Sequence, residues 1–212
     1  MYNSYISVDE PSQSEFVINR SRFITTLVPI ENMEDAEAKI ALISKKYSDA
    51  THNCYAFISN TMATEQRFSD NGEPGGTAGV PMLEVLKKRG VYMTLAVVTR
   101  YFGGIKLGAG GLVSAYSRGV AEALDNAHLV ENVYSEIVTV DTNYTVYKKV
   151  ESYLIEAGAR IIDTAFSDKV VLTVQLRGVE NDSIREKIID MTLGQAVIDT
   201  IDTRYCTYEI TK

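Results

Sequence analysis

An α+β fold in two domains is predicted by three observations. Runs of β-branched and aromatic residues recur along the chain between segments whose apolar residues repeat at helical spacing. Ten of the fourteen glycines fall between Gly72 and Gly111, nine of them in two clusters, GEPGGTAG and YFGGIKLGAGG. After Ala127 the pattern changes, and the remaining segments succeed one another as βαββαβ. The expected division is a domain over residues 1–130 and a second over 131–212.

Each element follows from its residues. FVINRSRFITTLVP (16–29) alternates roughly between apolar and polar residues, as in one or two half-buried strands. Ala36, Ile40, Ile43 and Tyr47 lie at helical spacing behind Asn32 or the acidic pair Glu34-Asp35, predicting a helix that ends near Tyr47. HNCYAFIS (52–59) is a strand, and residues 65–69 are a short partner. Residues 82–89 read as a short helix with a basic last turn, ending at Gly90. YMTLAVVTR (92–100) is nearly continuous in apolar residues, as in a central strand covered on both faces. Residues 112–124 carry a helical stripe, so strand, glycine loop and helix form one unit.

HLVENV reads as a short connector. Beyond it come a strand over 134–144, a helix over 146–157 capped by Gly158, and strands over 160–165 and 169–176 around a Ser167-Asp168 turn. A helix over 182–191 and a strand over 197–209 complete the chain. A βαββαβ order closes naturally as a sheet with two helices on one face, the ferredoxin-like arrangement.

Composition narrows the function classes. With 45% hydrophobic residues, no apolar run of membrane-spanning length and an N-terminus unlike a signal peptide, the chain reads as cytoplasmic, without a membrane partner. Cys54 and Cys206 lack CxxC spacing and read as buried thiols. A net charge of −7 opposes non-specific attachment to nucleic acid. Between residues 67 and 118, however, seven basic side chains oppose three acidic ones. A local basic site on an acidic body suits an anionic ligand, although a solvated helix end at Lys87 to Arg89 accounts for three of those charges.

A glycine loop between a strand and a helix can cradle phosphate, because backbone N–H groups converge at the positive helix end. The general nucleotide fingerprints are absent: there is no GxxxxGK[ST], and Val113 stands where GxGxxG needs its last glycine. Lys106 keeps another kind of anion site open, as does packing of the loop against its neighbours. His52, Asp70 and Glu73 have side chains suited to acid–base chemistry or metal ligation, but their separation fixes no geometry. Hydrogen bonding of Glu73 within its own loop and a structural role for His52 account for them equally well. Arg100, Tyr101 and Phe102 combine a phosphate contact with stacking rings, as in single-strand recognition; the alternative is Phe102 as a core anchor with Tyr101 capping the loop. No catalytic residue, metal site or cofactor is assigned. The candidate ligand- or RNA-binding residues are His52, Asp70, Glu73, Thr77, Arg100, Tyr101, Phe102, Gly103, Gly104, Lys106, Gly108, Gly110 and Gly111.

ATHNCYAF (50–57), RFSDNGEPGGTAGVPML (67–83) and VVTRYFGGIKLGAGGLVSAY (97–116) together resemble the YigZ/IMPACT family. The resemblance covers roughly residues 16–125, and the trailing βαββαβ segment is similar to the small C-terminal domain of bacterial members. It implies an N-terminal domain with the fold of the second domain of the fifth small-subunit ribosomal protein, and a ferredoxin-like C-terminal domain similar to the last domain of elongation factor G. Asn71 stands where the family often has a second acidic residue, and Gly75 where serine is common. Asn71 keeps the turn chemistry and removes a charge. Eukaryotic relatives act without catalysis, competing with a starvation-responsive translation kinase for its activator. This sequence lacks their extra N-terminal recognition domain, so that partner does not carry over. The expectation is a non-catalytic protein that binds RNA, the ribosome or a translation factor through the glycine-rich face. The alternative is a site or enzyme for a small phosphorylated ligand, since certain small-molecule kinases resemble this fold. A third reading makes the C-terminal domain a protein-contact module.

Overall fold

The computed structural model describes residues 4–179 and 181–210. The chain forms two compact units, one ending at Glu131 and taking in the residues from Glu209 onward, the other spanning Asn132–Tyr208.

The first unit is built on a five-stranded antiparallel sheet in the order β2-β3-β6-β4-β5. These strands are β2 (Ser12–Ile18), β3 (Ser21–Pro29), β4 (His52–Ile58), β5 (Gln66–Ser69) and β6 (Thr94–Tyr101). Side chains alternate across a strand, and β6 uses both faces. Leu95 and Val97 pack with Val28, Phe57 and Ala36 of helix α1 (Met33–Lys46). Ala96 and Val98 point the other way, into a core shared with Leu83 and Leu86 of α2 (Gly79–Lys88) and Leu112, Tyr116 and Val120 of α3 (Gly108–Asn126). Burial on both faces explains the unbroken apolar run of β6, seven of whose eight residues are buried. Asn32 caps α1, its side chain accepting from the Asp35 amide at 2.9 Å. A strand absent from the sequence reading, β1 (Ser4–Val8), is tied down by the Tyr92 amide donating to the Ile6 carbonyl at 2.8 Å.

Two helices begin earlier than expected. α2 starts at Gly79, with Pro81 in its first turn, where the missing N–H costs no helical hydrogen bond. α3 starts at Gly108 rather than Leu112, so Gly110 and Gly111 lie in its first turn.

In the second unit the strands run in the order β10-β7-β9-β8, from β7 (Leu129–Thr142), β8 (Arg160–Phe166), β9 (Val170–Leu176) and β10 (Val197–Glu209). Helices α4 (Tyr147–Glu156) and α5 (Asp182–Met191) cover one face, where Val150, Leu154 and Ile188 meet Val138, Val140, Leu172 and Val174. Gly158 follows α4 with φ +80°, the left-handed conformation of a helix C-cap. The expected connector HLVENV is corrected, because the strand β7 already begins at Leu129. Both cysteines are buried free thiols. No helix among the described residues is long and apolar enough to cross a membrane.

Candidate functional site

Strand register assembles the site. Phe23 pairs with Arg100 across β3 and β6, and His52 pairs with Arg100 across β4 and β6, so the three stand abreast at one end of the sheet. Arg100 lies two residues beyond Val98 and therefore faces α3.

The first glycine cluster builds the wall opposite. Asp70 to Glu73 is a tight turn closed by the Glu73 amide donating to the Asp70 carbonyl at 2.9 Å. Its central residues have positive φ, Asn71 at +43° and Gly72 at +87°, the asparagine-glycine pairing that such turns favour. Asn71 earns its place twice, since its side-chain oxygen also accepts from the Asn53 amide at 2.7 Å. Asp70 turns back onto the start of α2, and its carboxylate accepts from the amides of Gly76 (2.8 Å), Ala78 (2.9 Å) and Gly79 (2.8 Å). Burial pushes its pKa upward, but the three N–H groups outweigh that and hold it below the ordinary carboxylate value. Thr77 braces the same loop, its hydroxyl donating to the Pro74 carbonyl at 2.6 Å. Asp70 and Thr77 thus shape the loop, and neither lines the pocket described below.

The turn delivers Glu73 into the interior, where its side chain is 3% exposed. Arg100, 6% exposed, donates from Nη1 to Glu73 Oε1 at 2.7 Å, and the Tyr116 hydroxyl donates to the same oxygen at 2.8 Å. Arg100 Nη2 reaches Ser21 Oγ at 3.3 Å, and its guanidinium lies 5.4 Å from the ring centres of both Phe23 and Phe102. Its Nε–H has no acceptor among the described residues. Cys54 Sγ sits 2.9 Å from the Asp70 carbonyl and 3.4 Å from the Tyr116 oxygen. Burial pushes the Cys54 thiol up to about 12 and raises the Tyr116 phenol as well, so neither is a ready nucleophile or base. His52 Nδ1 lies 2.8 Å from the Asn71 carbonyl. A carbonyl only accepts, which places a hydrogen on Nδ1; Nε2 lies 3.8 Å from Glu73 Oε2.

The second cluster crosses this network and opens outward. Gly103 runs so close to the preceding hairpin that a Cβ there would lie 2.0 Å from the Arg20 carbonyl carbon, a position only glycine can fill. Its amide donates to Ser21 Oγ at 3.2 Å, and the Phe102 amide donates to Thr51 Oγ1 at 3.0 Å. Phe102 is 46% exposed, which corrects its alternative reading as a core anchor. Tyr101 points elsewhere, its hydroxyl donating to Asp49 at 2.9 Å. Gly104 continues the loop with φ +85°.

Thr51, His52, Glu73, Pro74, Arg100 and Phe102 face Lys106 to Ala109 and Leu112 around a pocket of about 390 Å3. Both glycine clusters therefore meet at one cavity. Its floor includes the start of α3, where Leu107 provides no side-chain cap and the first turn holds no acidic residue. The first four N–H groups of a helix need outside acceptors. At α2 Asp70 accepts from the Ala78 and Gly79 amides; at α3 no side chain among the described residues caps the end. Among the described residues, Lys106 makes no ion pair, and no group of three or more His, Cys, Asp or Glu could hold a metal. Tyr116, Cys54, Ser21 and Thr51 joined the site unforeseen. Only Tyr116 carried a signal, as a polar-tipped ring on the apolar stripe of α3.

The molecule is thus an α+β protein of two units whose glycine-rich loops frame a basic pocket at a helix N-terminus. It belongs to the IMPACT family: the model for the Impact N-terminal domain matches residues 19–124, and that for a domain of unknown function, DUF1949, matches residues 140–195. The IMPACT family member YvyE of Bacillus subtilis is 40% identical over 205 residues, covering 97% of this chain and 94% of the relative. The IMPACT family member YigZ of Escherichia coli is 35% identical over 187 residues, covering 87% and 92%. A crystal structure described as that of a hypothetical protein matches with TM-score 0.62 and 33% identity, covering 95% of this chain and 99% of that one.

Proposed function

We propose that this chain is a non-catalytic, cytoplasmic protein of translation that binds RNA through the glycine-rich face of its first unit. The observation that carries this reading is the α3 N-terminus, uncapped by any side chain among the described residues and opening onto a pocket edged by Lys106 and the half-exposed Phe102. Amides and lysine suit phosphate, and an exposed ring suits a base. The binding reading is favoured over catalysis because the buried groups are committed: Glu73 to Arg100 and Tyr116, and Cys54 to a thiol of raised pKa. Family membership favours translation as the setting. So does our assignment of the first unit to the fold of the second domain of the fifth small-subunit ribosomal protein, and of the second unit to the ferredoxin-like arrangement, on its order β10-β7-β9-β8.

The test is fluorescence anisotropy with structured and single-stranded RNA. Lys106→Ala should weaken binding, by about tenfold if one phosphate contact worth roughly 1.4 kcal/mol is lost, and should flatten the salt dependence. Absence of binding by the wild type at low salt overturns the RNA reading. The exposed, stacked rings of Tyr144 and Phe166 in the second unit, 6.2 Å apart, favour a further role for that unit in contacting a protein partner.

A further inference from the structure

We infer that the pocket binds the 2′,3′-diol of a terminal ribose, as at the 3′ end of an RNA or on a free nucleoside, through Glu73 Oε2 and His52 Nε2. The inference rests on the RNA reading and narrows it to one part of the ligand.

The Glu73 carboxylate is only half used by the protein. Its side chain is 3% exposed, and both donors that reach it, Arg100 Nη1 and the Tyr116 hydroxyl, go to Oε1. Each carboxylate oxygen has two lone pairs, so Oε1 is filled, whereas Oε2 accepts no hydrogen bond among the described residues. Unlike Arg100 Nε, Oε2 is not shut away from solvent, and Glu73 lines the pocket.

A second acceptor stands beside it. The Nδ1–H of His52 goes to the Asn71 carbonyl, so in the neutral ring Nε2 presents a lone pair, 3.8 Å from Oε2 and too far for a direct hydrogen bond. His52 lines the same pocket, its side chain 19% exposed. A ligand entering here must bring two donors, because an acceptor stripped of water without a replacement donor is costly.

Charge and geometry choose among donors. Glu73 and Arg100 offset each other at 2.7 Å, and Lys106 adds a positive charge to the pocket wall. That balance repels an ammonium group and leaves neutral donors. A single hydroxyl has one hydrogen and serves one acceptor. An amino group on a base has two, but they diverge at about 120° and suit acceptors about 5 Å apart at ordinary hydrogen-bond length. The hydroxyls of a cis-diol sit on neighbouring carbons and send their hydrogens side by side, which suits the closer spacing of 3.8 Å. Ribose carries that diol where it ends a chain or stands in a free nucleoside, and carboxylates recognise ribose hydroxyls at dinucleotide sites.

The remainder of the pocket suits the remainder of a nucleoside. Its volume of about 390 Å3 lies within the range of small-molecule sites. Phe102, 46% exposed at the rim, offers a ring to a base, and Lys106 suits the phosphate that joins a terminal residue to its chain.

The test uses the full chain and one short single-stranded oligoribonucleotide labelled at its 5′ end, finished with an ordinary ribose or with a 2′,3′-dideoxyribose. The diol form should bind at least about tenfold tighter, since the dideoxy form leaves both acceptors unmatched, with adenosine competing and 2′,3′-dideoxyadenosine not. Glu73 is left intact, because its removal strands the Arg100 charge. His52→Asn should abolish the preference: its side-chain amide can still donate to the Asn71 carbonyl as Nδ1 does, while nothing occupies the Nε2 position. If that variant does not fold, the wild-type comparison decides alone. Equal binding of the two oligonucleotides, with adenosine and its dideoxy form competing alike or not at all, overturns the inference and leaves RNA binding intact. Adenosine binding that depends on the diol, with neither oligonucleotide bound, supports the inference with a free nucleoside as ligand and ends the RNA reading. Failure of both oligonucleotides and of adenosine overturns both. A folded His52→Asn that keeps the full preference overturns the site.

Discussion

Removing the charge on Glu73 tests whether the site is one coupled unit. Its carboxylate is 3% exposed, stands 2.7 Å from an Arg100 side chain that is 6% exposed, and also accepts from Tyr116. Glu73→Leu would leave a buried guanidinium without its counter-charge, a loss of about 3–5 kcal/mol. Arg100→Met leaves the carboxylate equally stranded and should cost a similar amount. The double variant removes both charges together and keeps the volume apolar, so its cost should fall to about 1–3 kcal/mol, mostly the unmatched Tyr116 hydroxyl. Calorimetry or urea unfolding of the four proteins closes a double-mutant cycle, with a coupling energy of at least about 3 kcal/mol expected. Costs that simply add, within about 0.5 kcal/mol, would mean the pair is not held together in solution and would remove the scaffold from the proposed site.

Asp70→Asn should destabilise the first unit by about 1–2 kcal/mol at neutral pH, since the carboxylate serves three amides at the α2 N-terminus. Because the folded pKa of Asp70 is depressed, its contribution is fully present above the unfolded value near 3.9 and is lost as pH falls through the folded value. The gap between wild type and Asp70→Asn in unfolding free energy should therefore be level above about pH 5 and close in acid; a gap that persists unchanged into strong acid refutes the assignment. Cys54, its thiol pushed up to about 12 by burial, should resist alkylation of the native protein at pH 8 and react on unfolding. Rapid native-state labelling at Cys54, mapped by peptide mass, would show that the network opens.

Strands and helices with clear patterning were readable from the chain, because burial writes a continuous apolar run into β6, near-alternation into β9 and a helical stripe into α3. The misplaced boundaries have physical causes. Glycine costs about 1 kcal/mol in a helix relative to alanine, so the start of α3 was placed at Leu112, whereas packing of Leu112, Ala115 and Tyr116 carries the helix back through Gly111 and Gly110 to Gly108. The polar pair Glu131-Asn132 disguised the opening of β7 as a connector. At the site, residue types were visible but roles were not. Arg100 reads in sequence as a surface contact for phosphate; strand register turns it inward onto Glu73, 27 residues away. Asp70 reads as a ligand and instead caps a helix. The glycines themselves divide between a tight turn at Gly72, a close approach at Gly103 and the open position at Gly110, a distinction that spacing alone does not draw.

The most direct test of the central claim, that the glycine-rich face is the binding face, is an amide-resolved NMR titration of the isotopically labelled full chain with single-stranded RNA. The amides of Gly108, Ala109 and Gly110 at the open end of α3, with those of Phe102 and Lys106, should shift first and saturate together. Shifts confined to residues 132–208, or an unchanged spectrum at low salt, would contradict it.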